Sequence, residues 1–245
     1  MNKKDQPPKA MKNLDGIIEK IDERISEKEK IREDALRYSR DIIIACRRGI
    51  QQLHRNLPAD AEVYLKQASA KLRELYELTK NHPDIFNTGF VENAAQEYVE
   101  LHCLSNIMRG LDLPDPDAIQ VTPSAYLLGL CDVVGELRRN ALDCMLAGHT
   151  DKAQEYLHHM DRIYDAIMGF DYPSALVPIK KKQDMIRALI EKTRGELVVS
   201  TVESRIHERT HEVNGLLDAM NGEKVTEKKK RQGSDEEDID IDKVW

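Results

Sequence analysis

Between Leu36 and Leu57 small or apolar residues return every three or four positions: Leu36, Ser39, Ile43, Cys46, Ile50, Leu53 and Leu57. That is the period of a helix, and a seam this long commits the segment to one helix with an inward face. The period recurs along the chain. A second helix is predicted over 59–80, with Val63, Leu65, Ala68, Leu72, Leu75 and Leu78 as its apolar positions. A third should begin near Asp84 and run through Ile107. Thr122-Pro123 starts a fourth, threonine as N-cap and proline in the first helical position, ending near Leu146. Two more cover Thr150 to Met168 and a long stretch from Ser174 or Pro178 to Met220. No segment alternates apolar and polar residues long enough for a sheet, and aromatics make up only 5%. The expected fold is all-α, a single domain of about six to seven long helices.

With 245 residues the chain is long enough to bury a sizeable core. Residues 1–10, with Gln6-Pro7-Pro8, read as a loose tail, and 11–221 as the helical domain. Residues 222–245 carry a basic cluster, Lys228 to Arg231, followed by an acidic run, Asp235 to Asp242. They read as a disordered mixed-charge tail. The net charge of −7 argues against nucleic-acid binding by bulk charge but leaves room for a local basic surface. Cys46, Cys103, Cys131 and Cys144 have no C-x-x-C spacing and read as reduced thiols packed as small apolar groups. The polar, lysine-bearing start is unlike a signal peptide, and no run of apolar residues is long enough to span a membrane. The expected location is cytoplasmic.

Two acidic pairs stand out. Glu97 and Glu100 are three apart, and Asp132 and Glu136 four apart, so each pair shares a helix face. The bland alternative is a solvated face. Against it, Asp132 and Glu136 are the only charged residues from Tyr126 to Leu137. Acids on an apolar helix carry a desolvation cost unless paired or bound to a cation. If the two helices meet, the four carboxylates form an oxygen-rich pocket for Mg2+, with Mn2+ as a substitute. Such an ion acidifies a water and offsets charge on a phosphate, the chemistry of phosphodiester hydrolysis. Glu97 or Glu100 could serve as general base. Gly129 and Gly135 weaken their helix, for which close approach of a neighbouring helix is a physical reason.

Arg40, Arg47, Arg48 and Arg55 flank the first seam and could line a phosphate track; the alternative is a solvated face or ion pairs between subunits. Ile17 to Ile31 is rich in Glu and Lys and reads as exposed, or as an extension packing on a neighbour. His207-Glu-Arg-Thr-His211 matches the zinc-protease pattern H-E-x-x-H, but on a highly charged helix and without a third ligand after it, so a protease is not the reading taken.

Three motifs together carry a family resemblance. Ser39-Arg-Asp-Ile42, Arg47-Arg48 and Leu53-His-Arg55 resemble the first-helix signature of the translin/TRAX family. Gln96-Glu-Tyr-Val-Glu100 resembles the TRAX segment of the third helix. Val121-Thr-Pro-Ser-Ala-Tyr-Leu-Leu-Gly129, followed by Asp132 and Gly135-Glu-Leu137, resembles the TRAX fourth helix. The similarity runs over roughly residues 30–220. It implies a translin-type helical bundle assembling into a hollow, octamer-like oligomer that binds single-stranded RNA or DNA. TRAX subunits are magnesium-dependent endoribonucleases, whereas translin subunits lack the full acidic set and mainly bind. With Glu97, Glu100, Asp132 and Glu136 in the matching positions, this chain sides with TRAX. Its short 111–120 loop points to an archaeal or other single-gene form working as a homo-oligomer. The alternative kept beside this is an oligomeric single-strand binder without catalysis.

Overall fold

The seam that begins near Leu36 belongs to a 41-residue helix, α1 (Leu14–His54). A computed structural model describes the backbone of residues 13–232 and the side chains of residues 13–217. After α1 come α2 (Pro58–Thr79), the single turn α3 (Pro83–Phe86), α4 (Gly89–Met108), α5 (Pro123–Leu146), α6 (Thr150–Met168) and α7 (Lys180–Gln232). Every regular element among the described residues is a helix, as the periodicity predicts. None is long and apolar enough to cross a membrane.

Local signals set most boundaries. Thr122 caps α5 by accepting from the Ala125 amide at 3.1 Å, with Pro123 behind it. The helix predicted to run unbroken from Asp84 is instead split. Thr88 adopts an extended backbone, its hydroxyl donates to Ile85 O at 2.6 Å, and the Asn87 amide donates to Pro83 O at 2.7 Å. These local bonds satisfy the carbonyls of α3 and end it before α4 begins. α7 starts at Lys180, later than the sequence suggests, and its backbone continues as helix to Gln232, past the 221/222 boundary drawn above. Residues 1–12 and 233–245, and with them most of the expectation of loose tails, lie outside the described residues.

α1 packs against α2 and α4, α4 against α5, and α5 against α6 and α7. Ile42, Leu53, Leu101, Leu104, Leu137, Met160 and Ile186 are fully buried between them. Each contributes about 1.5–3 kcal/mol of hydrophobic stabilisation. The inner face of α1 lies slightly off the predicted seam: Ala35, Ile42 and Gly49 are buried, Leu36 and Ile43 half-buried, and Leu57 exposed. On α7 the buried face ends at Leu197. Val202, Ile206, Val213 and Leu217, apolar positions of the same helix, are exposed, as are Leu14, Ile17, Ile18, Ile21 and Ile25 on α1, where Ile17 to Ile31 reads as exposed from the sequence.

The four cysteines are free; Cys46, Cys103 and Cys131 are buried. Burial pushes the thiols of Cys103 and Cys131 up to about 12. Cys46 goes up further, through burial first and then the nearby charges of Glu97 and Glu100.

Candidate functional site

The site exists because α4 and α5 come unusually close. A Cβ on Gly129 would lie 2.6 Å from Gln96 O and 2.8 Å from Val99 Cβ. Gln96 and Val99 alternate with Glu97 and Glu100 on α4, and Gly129 precedes Asp132 by one turn on α5. The bare glycine therefore lets the two acidic pairs approach one another. Gly135 plays no such part, since nothing lies within 4 Å of a Cβ built there.

Glu97, Glu100 and Glu136 line one cavity of about 420 Å³ together with Arg47, Ile50, Gln51, His54 and Arg139. Of the four predicted acids Asp132 alone is not part of its lining. Its carboxylate is engaged by Lys182 of α7, whose Nζ donates to both oxygens at 2.5 and 2.6 Å, and by the Gln96 amide. Glu136 is paired as well: His54 Nε2 meets its Oε2 at 2.5 Å, and His54 Nδ1 donates to Asn140 Oδ1 at 2.8 Å. The His54 side chain is 7% exposed, so a buried imidazole ties α1 to α5 at the cavity wall.

Of the predicted arginines, Arg47 reaches the cavity, 3.8 Å from Glu97. Arg40, Arg48 and Arg55 are exposed and do not line it. Arg139, missed in the sequence, does. It sits three residues after Glu136 and seven after Asp132, on the same face of α5, a spacing that could have identified it. His54 and Lys182 were also missed.

The electrostatics are those of crowded acids. Burial is the main cause of the raised pKa of Glu100, followed by the charges of Asp132, Glu97 and Glu136; together they push it up to about 8. Glu97 is also raised, chiefly by burial, with Arg47 pulling the other way. Between pH 4.5 and about 8 the folded chain keeps a proton on Glu100 that the unfolded chain has shed. Stability is therefore greatest at the acid end of that window and falls as pH rises through it. A urea titration at pH 5, 6.5 and 8 in EDTA should show that decline, and Glu100→Gln should flatten it.

Oxygen ligands crowded together beyond what nearby bases neutralise suit a hard divalent cation in kind. As the side chains stand, no three His, Cys, Asp or Glu among the described residues are arranged to hold a metal ion. Two of the four acids are instead engaged by the protein's own side chains, Asp132 by Lys182 and Glu136 by His54. The same absence covers His207 and His211, whose exposed rings lie 4.9 Å apart on α7 with no third ligand among the described residues.

The chain matches the translin family over residues 29–198. MJ0175, an uncharacterized protein of Methanocaldococcus jannaschii, is 29% identical over 206 residues, spanning 83% of this chain and 90% of that one. AfC3PO, solved in complex with duplex RNA, is 32% identical with a TM-score of 0.68, covering 76% of this chain and 97% of its own. Apo-NeC3PO reaches the same TM-score at 19% identity, covering 79% and 100%, a likeness of fold.

Proposed function

This chain belongs to the translin family, and from that premise we propose that it is a divalent-cation-dependent endoribonuclease that cleaves single-stranded RNA, with Mg2+ as the working ion and Mn2+ a substitute. The observation that carries the reading is the meeting of Glu97, Glu100 and Glu136 in one open cavity framed by Arg47 and Arg139. Glu97, Glu100 and Glu136 would hold the cation, with Asp132 completing the set. When bound, the cation would acidify a water for attack and offset charge on the scissile phosphate. The chain's own groups do the rest. Arg47 and Arg139, from α1 and α5, draw the polyanion to the cavity mouth and orient it by its phosphates. Arg40, two turns before Arg47 on the same face, extends the positive track, with Arg48 and Arg55 alongside on the exposed side of the chain. His54, held by Asn140, fixes the orientation of Glu136.

RNA as the polymer is supported by AfC3PO, solved with duplex RNA. Labelled single-stranded and duplex RNA, incubated with the full chain in MgCl2 or EDTA, test the reaction. Cleavage of the single strand is expected in magnesium and none in EDTA. If RNA binds but neither form is cut at any Mg2+ or Mn2+ concentration, the second reading takes over: a single-strand binder without catalysis. The occupation of Asp132 by Lys182 and of Glu136 by His54 favours that alternative. In either case Arg47→Ala and Arg139→Ala should weaken RNA binding and each lower the slope of log affinity against log salt by about one. Filter binding over a range of KCl concentrations measures this.

Self-association into a homo-oligomer, octameric on the family pattern, is part of the proposal. It is supported by the exposed apolar stripes of α1 and α7, Leu14, Ile18, Ile21 and Ile25 on one and Val202, Ile206 and Val213 on the other. Light scattering of the full chain gives the mass.

A further inference from the structure

Lys182 stands in the first turn of α7. Its ammonium donates to both oxygens of Asp132 and also to Leu128 O at 3.3 Å. With the Gln96 amide on Oδ2 as well, both oxygens of the Asp132 carboxylate are engaged by donors. The two charged side chains are 23% and 24% exposed, so solvent screens the pair far less than an ion pair on open surface. The backbone beneath Lys182 is held fast. The next residue, Gln183, is buried, and its amide donates to Ile167 O and Phe170 O at 3.0 Å each. Ile179 and Ile186, on either side, are buried too. The first turn of α7 is thus fastened to the end of α6, while the four-carbon stem of Lys182 can change rotamer without moving it.

We propose that Lys182 is the resident counter-cation of the acidic site: its ammonium holds Asp132 in the metal-free protein and competes with the divalent ion for that carboxylate. The inference rests on the reading of the cavity as a cation site. Three positive charges, two on the ion and one on the ammonium, would repel one another across one carboxylate whose oxygens are both engaged. Entry of the ion therefore swings Lys182 towards solvent, with the helix staying in place. The metal-free chain avoids leaving Asp132 as an unpaired acid beside Glu97 and Glu100, and the coupling weakens cation affinity.

Calorimetric titration with MnCl2 compares wild type, Lys182→Met and Lys182→Arg. The methionine variant should bind Mn2+ about tenfold more tightly and, in EDTA, melt about 5 °C lower. The arginine variant, which keeps the charge, should stay close to wild type in both. In the wild-type chain, saturating Mn2+ should raise acylation of Lys182 by an amine-reactive ester, relative to exposed Lys180, as read by peptide mass spectrometry. That measurement decides the matter if Lys182→Met does not fold. Equal or weaker Mn2+ binding by the methionine variant, or acylation of Lys182 unchanged by bound Mn2+, overturns the competition and leaves the cation site standing. Absence of Mn2+ binding by wild type and Lys182→Met alike overturns the cation site and the competition together.

Discussion

Alanine at both Glu97 and Glu100 should silence RNA cleavage while making the metal-free fold more stable. The two acids are two of the three carboxylates lining the cavity. Without them the cation would lose half of the four proposed ligands, and the cleavage rate should fall by about 10³-fold or more, equivalent to about 4 kcal/mol of transition-state stabilisation. Both are also disfavoured as charged groups in the fold, Glu100 strongly, by burial and by the neighbouring acids. Their removal relieves that penalty, so the melting temperature in EDTA should rise above wild type at pH 8. RNA affinity should change little, because Arg47 and Arg139 remain. Single-turnover cleavage and a thermal melt on the same preparation check all of this. Wild-type cleavage in the double variant would remove these residues from the chemistry. Lost cleavage with a lowered melting temperature would trace the effect to folding instead.

Gly129→Ala should be among the most damaging single-methyl changes in the chain. In an exposed helix interior, replacing glycine with alanine stabilises by about 0.5–1 kcal/mol. At position 129 the added methyl would sit 2.6 Å from a backbone carbonyl of α4, which cannot rotate aside as a side chain would. α4 and α5 must separate, and the expected net cost is about 2–4 kcal/mol, a fall of about 5–12 °C in melting temperature. The acidic pairs separate with the helices, so Mn2+ affinity should fall as well. Gly135→Ala, in the same helix with open space around its Cβ, serves as the control and should be neutral or stabilising. Similar melting temperatures for the two variants would refute the role given to the α4–α5 crossing.

The helices and the acidic pairs could be read from the sequence because both depend on local spacing. The 3.6-residue period, the Thr122-Pro123 start and the i, i+3 and i, i+4 placement of acids are settled within one or two turns of chain. The α3–α4 break was harder to see, because Asn87 and Thr88 act through side-chain bonds to the backbone that leave the apolar pattern unbroken. The pattern on α7 beyond Leu197 shows that a face is apolar but not whether this chain covers it. Lys182 and His54 gave no local sign at all. They lie 50 and 82 residues from the acids they touch, and only the packing of α7 and α1 around α5 brings them there.

Cys46 lies among the buried residues of α1, and its thiol feels both Glu97 and Glu100. Alkylating reagents and peroxide attack the thiolate, and here that form is suppressed first by exclusion from water and then by the neighbouring acids. A sulfur atom beside the proposed reaction centre therefore remains chemically silent. Iodoacetamide should leave it unmodified in the native protein, and thiophilic ions such as cadmium gain no anchor there.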